Sequence, residues 1–339
     1  MLNLGAIILD LRIMKVTEHL DRAKEPFISF EIIPPKRGGD IKSLLAVIEE
    51  ISKFKPPFID ITSHSAEIEY VETKTGIEKH VKRKRPGTLG ICALIQNKYN
   101  IDAVPHILCK NFTREETEDF LIELSYLGID NVLAIRGDDN GFQKPVPAGR
   151  SANNYAIDLV AQIAAMNSGK FLEDGLLDAK PTSFCIGISG YPEKHFEAPN
   201  LKTDILYTRK KISTGADYIV TQMFFDNAVY FQYRDACAAE GVNVPIIPGL
   251  KIITAKSHLT NIPRNFFINL PPDLTGEVME AKNNEHVMEI GVNWAAKQVI
   301  DLLDKGVPSI HFYIMQNAKP INLLMQKLKL HKQYYFIAG

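Results

Sequence analysis

Glu31 has the sharpest chemical setting in the chain. It lies in Phe30-Glu31-Ile32-Ile33 ahead of Pro34-Pro35, a carboxyl group among apolar side chains on stiffened backbone. Desolvation disfavours the anion and raises a carboxyl pKa, which suits a general acid near neutral pH. A buried ion pair is the plainer alternative. Arg136-Gly137-Asp138 puts a cation, a flexible backbone and a carboxylate directly after the uncharged run 132–135. In isolation that tripeptide reads as a solvated turn. At the end of a buried strand in an α/β protein it stands where ligands bind. His106 follows Pro105 among apolar residues and, alone, reads as a hydrogen-bonded core histidine. No second histidine or carboxylate stands near it at ligand spacing, so no metal is expected. Gln222 offers both donor and acceptor, enough to orient a heterocycle's amide edge but not to transfer protons. Arg209, Lys210 and Lys211 form either a phosphate contact or a wet helix face.

These residues need a scaffold, and the 339-residue chain alternates strand and helix eight times. Strands are expected at 27–34, 58–62, 103–109, 132–135, 184–190, 218–225, 244–250 and 309–315. Helices are expected at 41–54, 88–97, 113–127, 154–166, 204–214, 229–239, 255–304 with a break at Pro271-Pro272, and 321–331. Thr113-Arg-Glu-Glu116 is a capping box and Gly128 a helix stop. Such alternation implies a parallel sheet with right-handed crossovers, and eight units match a (β/α)₈ TIM barrel, an α/β fold. A doubly wound open sheet is the runner-up, but no Gly-x-Gly-x-x-Gly follows the first strand. Residues 1–24 read as an N-terminal helical extension that packs on the domain or a neighbouring subunit, and 25–339 as the barrel. The charged stretch 67–86 reads as an excursion, its basic run 79–85 as a solvated helix end or loop.

A barrel gathers its chemistry where strands finish. Glu31, Thr62, His106, Asp138, Tyr191, Gln222 and Gln316 all fall at or near such ends. One buried polar residue is usually a satisfied core group; seven on one rim point to a site.

Composition narrows the class. Charged residues are 23% of the chain, apolar residues 45%, and the net charge is −1, which favours neither nucleic acid nor an anionic membrane as partner. The segment 2–11 is too short to span a bilayer and is interrupted by Asp10. Cys92, Cys109, Cys185 and Cys237 are too scattered for a metal or redox pair, and fit a reducing, cytoplasmic setting.

Seven segments together, Ser29-Phe-Glu-Ile-Ile-Pro-Pro-Lys36, Val104-Pro-His-Ile-Leu-Cys109, Ala134-Ile-Arg-Gly-Asp138, Gly190-Tyr-Pro-Glu-Lys-His195, Gly215 to Asp226, Ile247-Pro-Gly249 and His311-Phe-Tyr313, resemble methylenetetrahydrofolate reductases. The likeness runs from about residue 25 to 331 and looks like the short bacterial form, without the C-terminal regulatory domain of eukaryotic members. It implies a cytoplasmic homo-oligomer holding non-covalent FAD at the barrel rim. NAD(P)H would give a hydride to flavin N5 and leave, and methylenetetrahydrofolate would then be reduced in its place to the 5-methyl compound. By the same match Glu31 is the folate-protonating acid and Asp138 the flavin-side carboxylate that also meets the pterin. Thr62, Gln222 and Gln316 are implied to meet substrates. His106, Arg136, Gly137, Asp138, Ala156, Tyr191, His195, Asp204, Lys210 and Lys211 are implied to line FAD. The chain departs from the family where Ile32 and Ile33 replace aromatics, where Ser63-His64 replaces Tyr-Gly, and where Asn317 stands for a basic residue, with Lys319 nearby. A pterin-dependent barrel methyltransferase without flavin and a non-catalytic flavin or folate binder are the rival readings. The choice between NADH and NADPH is open.

Overall fold

The structure is a computed structural model that describes residues 14–83, 85–138 and 141–330. In chain order its elements are α1 (Val16–Arg22), β1 (Phe27–Ile32), α2 (Ile41–Ser52), β2 (Phe58–Ile61), β3 (Glu67–Thr73), β4 (Gly76–Lys82), α3 (Leu89–Tyr99), β5 (Asp102–Leu108), α4 (Arg114–Tyr126), β6 (Asn131–Ile135) and α5 (Ala156–Asn167). Then follow β7 (Cys185–Gly190), α6 (Leu201–Thr214), β8 (Tyr218–Thr221), α7 (Asn227–Ala239), β9 (Ile246–Ile247), β10 (Gly249–Leu250), α8 (His258–Phe266), α9 (Pro272–Glu280), α10 (Asn284–Asp304), β11 (Ser309–Met315) and α11 (Lys319–Leu330).

The main sheet runs β10-β11-β1-β2-β5-β6-β7-β8-β9, and its pairings are parallel. β9 and β10 are two halves of one strand separated by Pro248, which lacks the N–H a continuous ladder needs. One half pairs with β8 and the other with β11, so the ring closes. The chain is a (β/α)₈ TIM barrel with a helix ahead of its first strand.

Side chains alternate across each strand. Ile28, Phe30, Ile59, Ile61, Ala103, Ile107, Val132, Ala134, Ile186, Ile188 and Ile219 point outward into the large core under the helices. Phe58, Val104, Leu133, Tyr218, Val220 and Ile247 fill the barrel interior. Gly187 makes room there, since a Cβ at that position would lie 2.4 Å from the Tyr218 ring. Glu31, Asp60, Thr62, His106 and Tyr313 share the inward parity, and that puts polar groups above the apolar plug.

The lower mouth is closed by α1. Val16 is buried in the interior cluster, its N–H donates to Asn131 Oδ1 at 2.8 Å, and Asn131 Nδ2 donates to Met14 O at 2.9 Å. His19 Nε2 lies 2.6 Å from Asp102 Oδ2. The expected extension over 1–24 is described only from residue 14; residues 1–13, Lys84, Asp139 and His331, where the last helix is expected to end, lie outside the described residues.

The capping box forms as expected, with Glu116 N donating to Thr113 Oγ1 (3.1 Å) and Thr113 N to Glu116 Oε2 (2.9 Å). Three expectations need correcting. The helical region expected over 255–304 with one break is three helices, α8, α9 and α10, interrupted at 267–271 and again at 281–283. The strand expected over 218–225 ends at Thr221. Beyond it Met223 N–H donates to Gln222 Oε1, while Gln298 and Trp294 of α10 donate to the Phe224 and Phe225 carbonyls. Side chains thus satisfy backbone groups that a strand neighbour would otherwise take. The basic run is no helix end, and its first part is no loop, for Lys79 to Lys82 lie in β4, paired antiparallel to β3 from Glu67↔Lys82 to Thr73↔Gly76, with Arg83 and Arg85 past the strand. The hairpin turns through Lys74-Thr75 beside Gly76, whose φ of +144° suits glycine.

Candidate active site at the carboxyl ends of the strands

Glu31 is the last residue but one of β1, in register with Asp60 on one side and Tyr313 on the other. Its side chain is 12% exposed. Thr62, the residue after β2, donates its hydroxyl to Glu31 Oε1 at 2.7 Å and lies within 3.1 Å of Ile32 O. On the other carboxylate oxygen, Glu31 Oε2 lies 3.6 Å from His106 Nε2. Burial pushes the Glu31 carboxyl up from its usual range, while His106, the Thr62 hydrogen bond and Lys251 pull the other way. A carboxyl that keeps its proton yet reaches the rim can serve as an acid.

Lys251 follows β10 on the same rim and donates to Tyr313 O at 3.3 Å. Burial lowers its pKa, and Glu31 raises it. Tyr313 in turn donates its hydroxyl to Thr221 O at 2.6 Å, a close approach that Gly249 permits. Burial lowers the His106 pKa, and neither of its ring nitrogens has a hydrogen-bond partner among the described residues. Beneath it, His311 Nδ1 meets Ser29 Oγ at 2.8 Å, and burial lowers this imidazole to about 3.

A second group lies past β6 and β7. Arg136 makes a two-pronged ion pair with Glu197, both contacts at 2.7 Å. Gly137 has φ +86°, where a side chain would be strained. Asp138 is exposed after it, and its charge acts on both His64 and Tyr191. The Tyr191 and His195 rings meet edge-on at 4.7 Å, and burial pushes the Tyr191 phenol up to about 12. His195 N–H donates to Asp204 Oδ2 at 2.8 Å, and Lys211 reaches Ser189 O at 3.4 Å. Burial lowers the Lys211 pKa and Asp204 opposes this. Ala156 is the first residue of α5.

The candidate residues therefore form two sets. Glu31, Thr62 and His106 make one; Arg136, Gly137, Asp138, Tyr191, His195, Asp204 and Lys211 make the other. Gln222 joins the second through its N–H to Gly190 O at 2.7 Å. Gln316 is exposed and ties back to Ile33 O at 3.0 Å. Lys210 turns to the exposed face of α6, its ammonium 5.3 Å from the Tyr207 ring centre, while Arg209 pairs with Glu240 at 3.6 Å. The three-residue basic run thus splits, and only Lys211 points inward.

Asp60 and Lys251 were not among the candidates read from sequence. The signal for Asp60 was a lone carboxylate inside the apolar run Phe58 to Ile61; for Lys251, a lysine directly after a strand. Among the described residues no group of three or more His, Cys, Asp or Glu could hold a metal ion, and no helix is long and apolar enough to cross a membrane. The four cysteines are free and buried.

The family model described as methylenetetrahydrofolate reductase matches residues 15–329. The chain belongs to the methylenetetrahydrofolate reductase family. Methylenetetrahydrofolate reductase 1 of Schizosaccharomyces pombe is 27% identical over 325 residues, covering 94% of this chain and 49% of that protein. The 5,10-methylenetetrahydrofolate reductase of Salmonella typhimurium is 27% identical over 295 residues, covering 86% of this chain and 87% of that one. The chain thus spans about half the length of the eukaryotic reductases it matches and most of the bacterial one. Among solved structures, an uncharacterized Clostridium thermocellum protein that binds two copies of 5-methyl-5,6,7,8-tetrahydrofolic acid superposes with a TM-score of 0.56. It is 15% identical, with 93% of this chain and 98% of that chain covered, a likeness of fold.

Proposed function

We propose that this chain is an FAD-dependent methylenetetrahydrofolate reductase driven by NAD(P)H, with Glu31 as its general acid. The observation that carries the reading is Glu31 itself, a carboxyl favoured in its neutral form by burial, placed at a strand end and already hydrogen-bonded by Thr62. Family membership supplies the substrate class.

The residues present fit a flavin dinucleotide. Lys211 and His195 offer positive or donor groups toward a diphosphate, Gly137 brings backbone close without a side chain, and the unpartnered His106 ring offers a polar edge. Arg136 would have to share itself between Glu197 and the cofactor. When bound, FAD supplies the site that accepts a hydride from one substrate and gives it to the other.

The protein's own part is acid chemistry and electrostatics. The five-membered ring of methylenetetrahydrofolate must open before it can accept a hydride. Glu31 gives its proton to the ring nitrogen, and the electron pair of the breaking C–N bond stays on that nitrogen. Thr62 then holds Oε1 of the new carboxylate, and the Lys251 charge stabilises it. Gln222 orients the amide edge of whichever heterocycle is present. Asp138 places a carboxylate on the cofactor side, where its charge opposes added negative charge.

The test is the visible spectrum of the purified protein under anaerobic conditions. A yellow protein whose flavin band bleaches with NADH or NADPH and returns on adding methylenetetrahydrofolate supports the proposal. A colourless protein would favour a flavin-free methyltransferase. A yellow protein that does not cycle would favour a binding role.

A further inference from the structure

Asp60 is a carboxyl group with no place to put a charge. It is fully buried in β2, and neither of its oxygens has a hydrogen-bond partner among the described residues. An ionised carboxylate in such a place is strongly disfavoured, so the group keeps its proton and needs an acceptor for it. The imidazole of His106 is at hand, with Nε2 at 3.6 Å from Asp60 Oδ2. The same nitrogen lies 3.6 Å from Glu31 Oε2. Two carboxyl groups therefore compete for one lone pair, at equal distance from it.

The competitors are not equal. Glu31 has the Thr62 hydroxyl, the nearby Lys251 charge and an opening to the rim. Among the described residues, the imidazole holds the basic nitrogen nearest to Asp60. We propose that Asp60 is a positioning residue, a protonated carboxyl that donates to His106 Nε2 and so leaves the proton of Glu31 free to point at the substrate. The inference deepens the reductase reading and rests on it.

The surroundings fit a neutral pair. Tyr218 and Tyr313 from β8 and β11 lie near Asp60 inside the barrel, Cys92 of α3 feels its charge from the outer layer, and burial raises all three pKa values, so they stay uncharged near neutral pH. His311 from β11 and His64 after β2 face His106, and burial lowers both. Glu31 and, through it, Lys251 are the remaining titratable neighbours on the rim. With Nε2 accepting, His106 carries its proton on Nδ1. That N–H meets no acceptor among the described residues, which leaves it for the bound cofactor.

Nitrogen-15 NMR of the histidine-labelled holoprotein tests the pairing without any substrate. The proposal expects His106 to be neutral across the pH range of activity, protonated on Nδ1, with Nε2 a hydrogen-bond acceptor. Asp60→Leu should move these signals more than Glu31→Gln does. An Nε2–H tautomer, an imidazolium, or signals that follow Glu31 alone would overturn it. The kinetic arm follows flavin reoxidation by methylenetetrahydrofolate. Asp60→Leu should slow it by up to roughly a hundredfold, the scale of a misplaced catalytic group, while NADH still reduces the flavin. Asp60→Asn, whose amide can still donate to Nε2, should recover much of the loss. Equal loss in both variants, or in both half-reactions, would overturn the positioning role. If Asp60→Leu does not fold, the wild-type spectrum decides alone. A normal His106 signature in a protein that never reduces folate would refute the reductase reading and leave the pairing standing.

Discussion

The Thr62 hydroxyl donates a 2.7 Å hydrogen bond to Glu31 Oε1, tying the end of β2 to the end of β1. The bond favours the carboxylate, whereas burial favours the acid, and burial is the larger influence. The balance shifts Glu31 toward its acid form, and the conjugate base already has a partner waiting. That balance, rather than burial alone, is what a group that must both keep and release a proton requires.

Thr62→Val removes the donor and little volume. Because the hydroxyl lowers the Glu31 pKa, its loss raises it further. The acid form then persists to higher pH, and the alkaline fall of the folate half-reaction moves upward. The check is the pH profile of flavin reoxidation in the wild type and the variant. A profile that stays in place or moves downward would contradict the arrangement.

Asp138→Asn removes a charge from the proposed cofactor side without changing much shape. The flavin midpoint potential should move to a more positive value, since less negative charge opposes reduction, while FAD stays bound. Spectroelectrochemistry measures it. An unchanged potential would remove Asp138 from the cofactor's electrostatics.

Asn131→Ala acts at the other end of the barrel. It removes the bonds to Val16 N and Met14 O and leaves a buried N–H without a partner. A loss of about 1–3 kcal/mol is expected from one such orphaned group. Urea unfolding gives the number. A midpoint equal to wild type would mean that α1 is not bonded to the barrel floor.

Much of this was legible in the amino-acid order because strand ends carry chemistry and helix spacing is regular. Glu31, Thr62 and His106 were readable as strand-end polar residues, and the structure brings them within hydrogen-bonding or near-contact distance. Asp60 was legible only as a lone carboxylate in an apolar run, and its role was not. A lone aspartate in a four-residue strand looks like any half-buried position, and its meaning comes from register with Glu31 and from His106 on the next strand. Lys251 was hidden for a similar reason: Pro248 splits its strand, and only ring closure against β11 brings it to Glu31. The cluster Arg209-Lys210-Lys211 needed the helix phase to separate an inward lysine from two outward cations. The hairpin β3–β4 was masked by its charge, because Ile68, Tyr70 and Val81 alternate with Glu and Lys.

The most direct test of the central claim is stopped-flow absorbance on Glu31→Gln, with the two half-reactions measured separately. Flavin reduction by NADH should stay near the wild-type rate, while reoxidation by methylenetetrahydrofolate falls by roughly 10²–10⁴-fold, the usual contribution of a general acid. Equal losses in both half-reactions, or a loss in neither, would contradict the assignment of Glu31 as the acid.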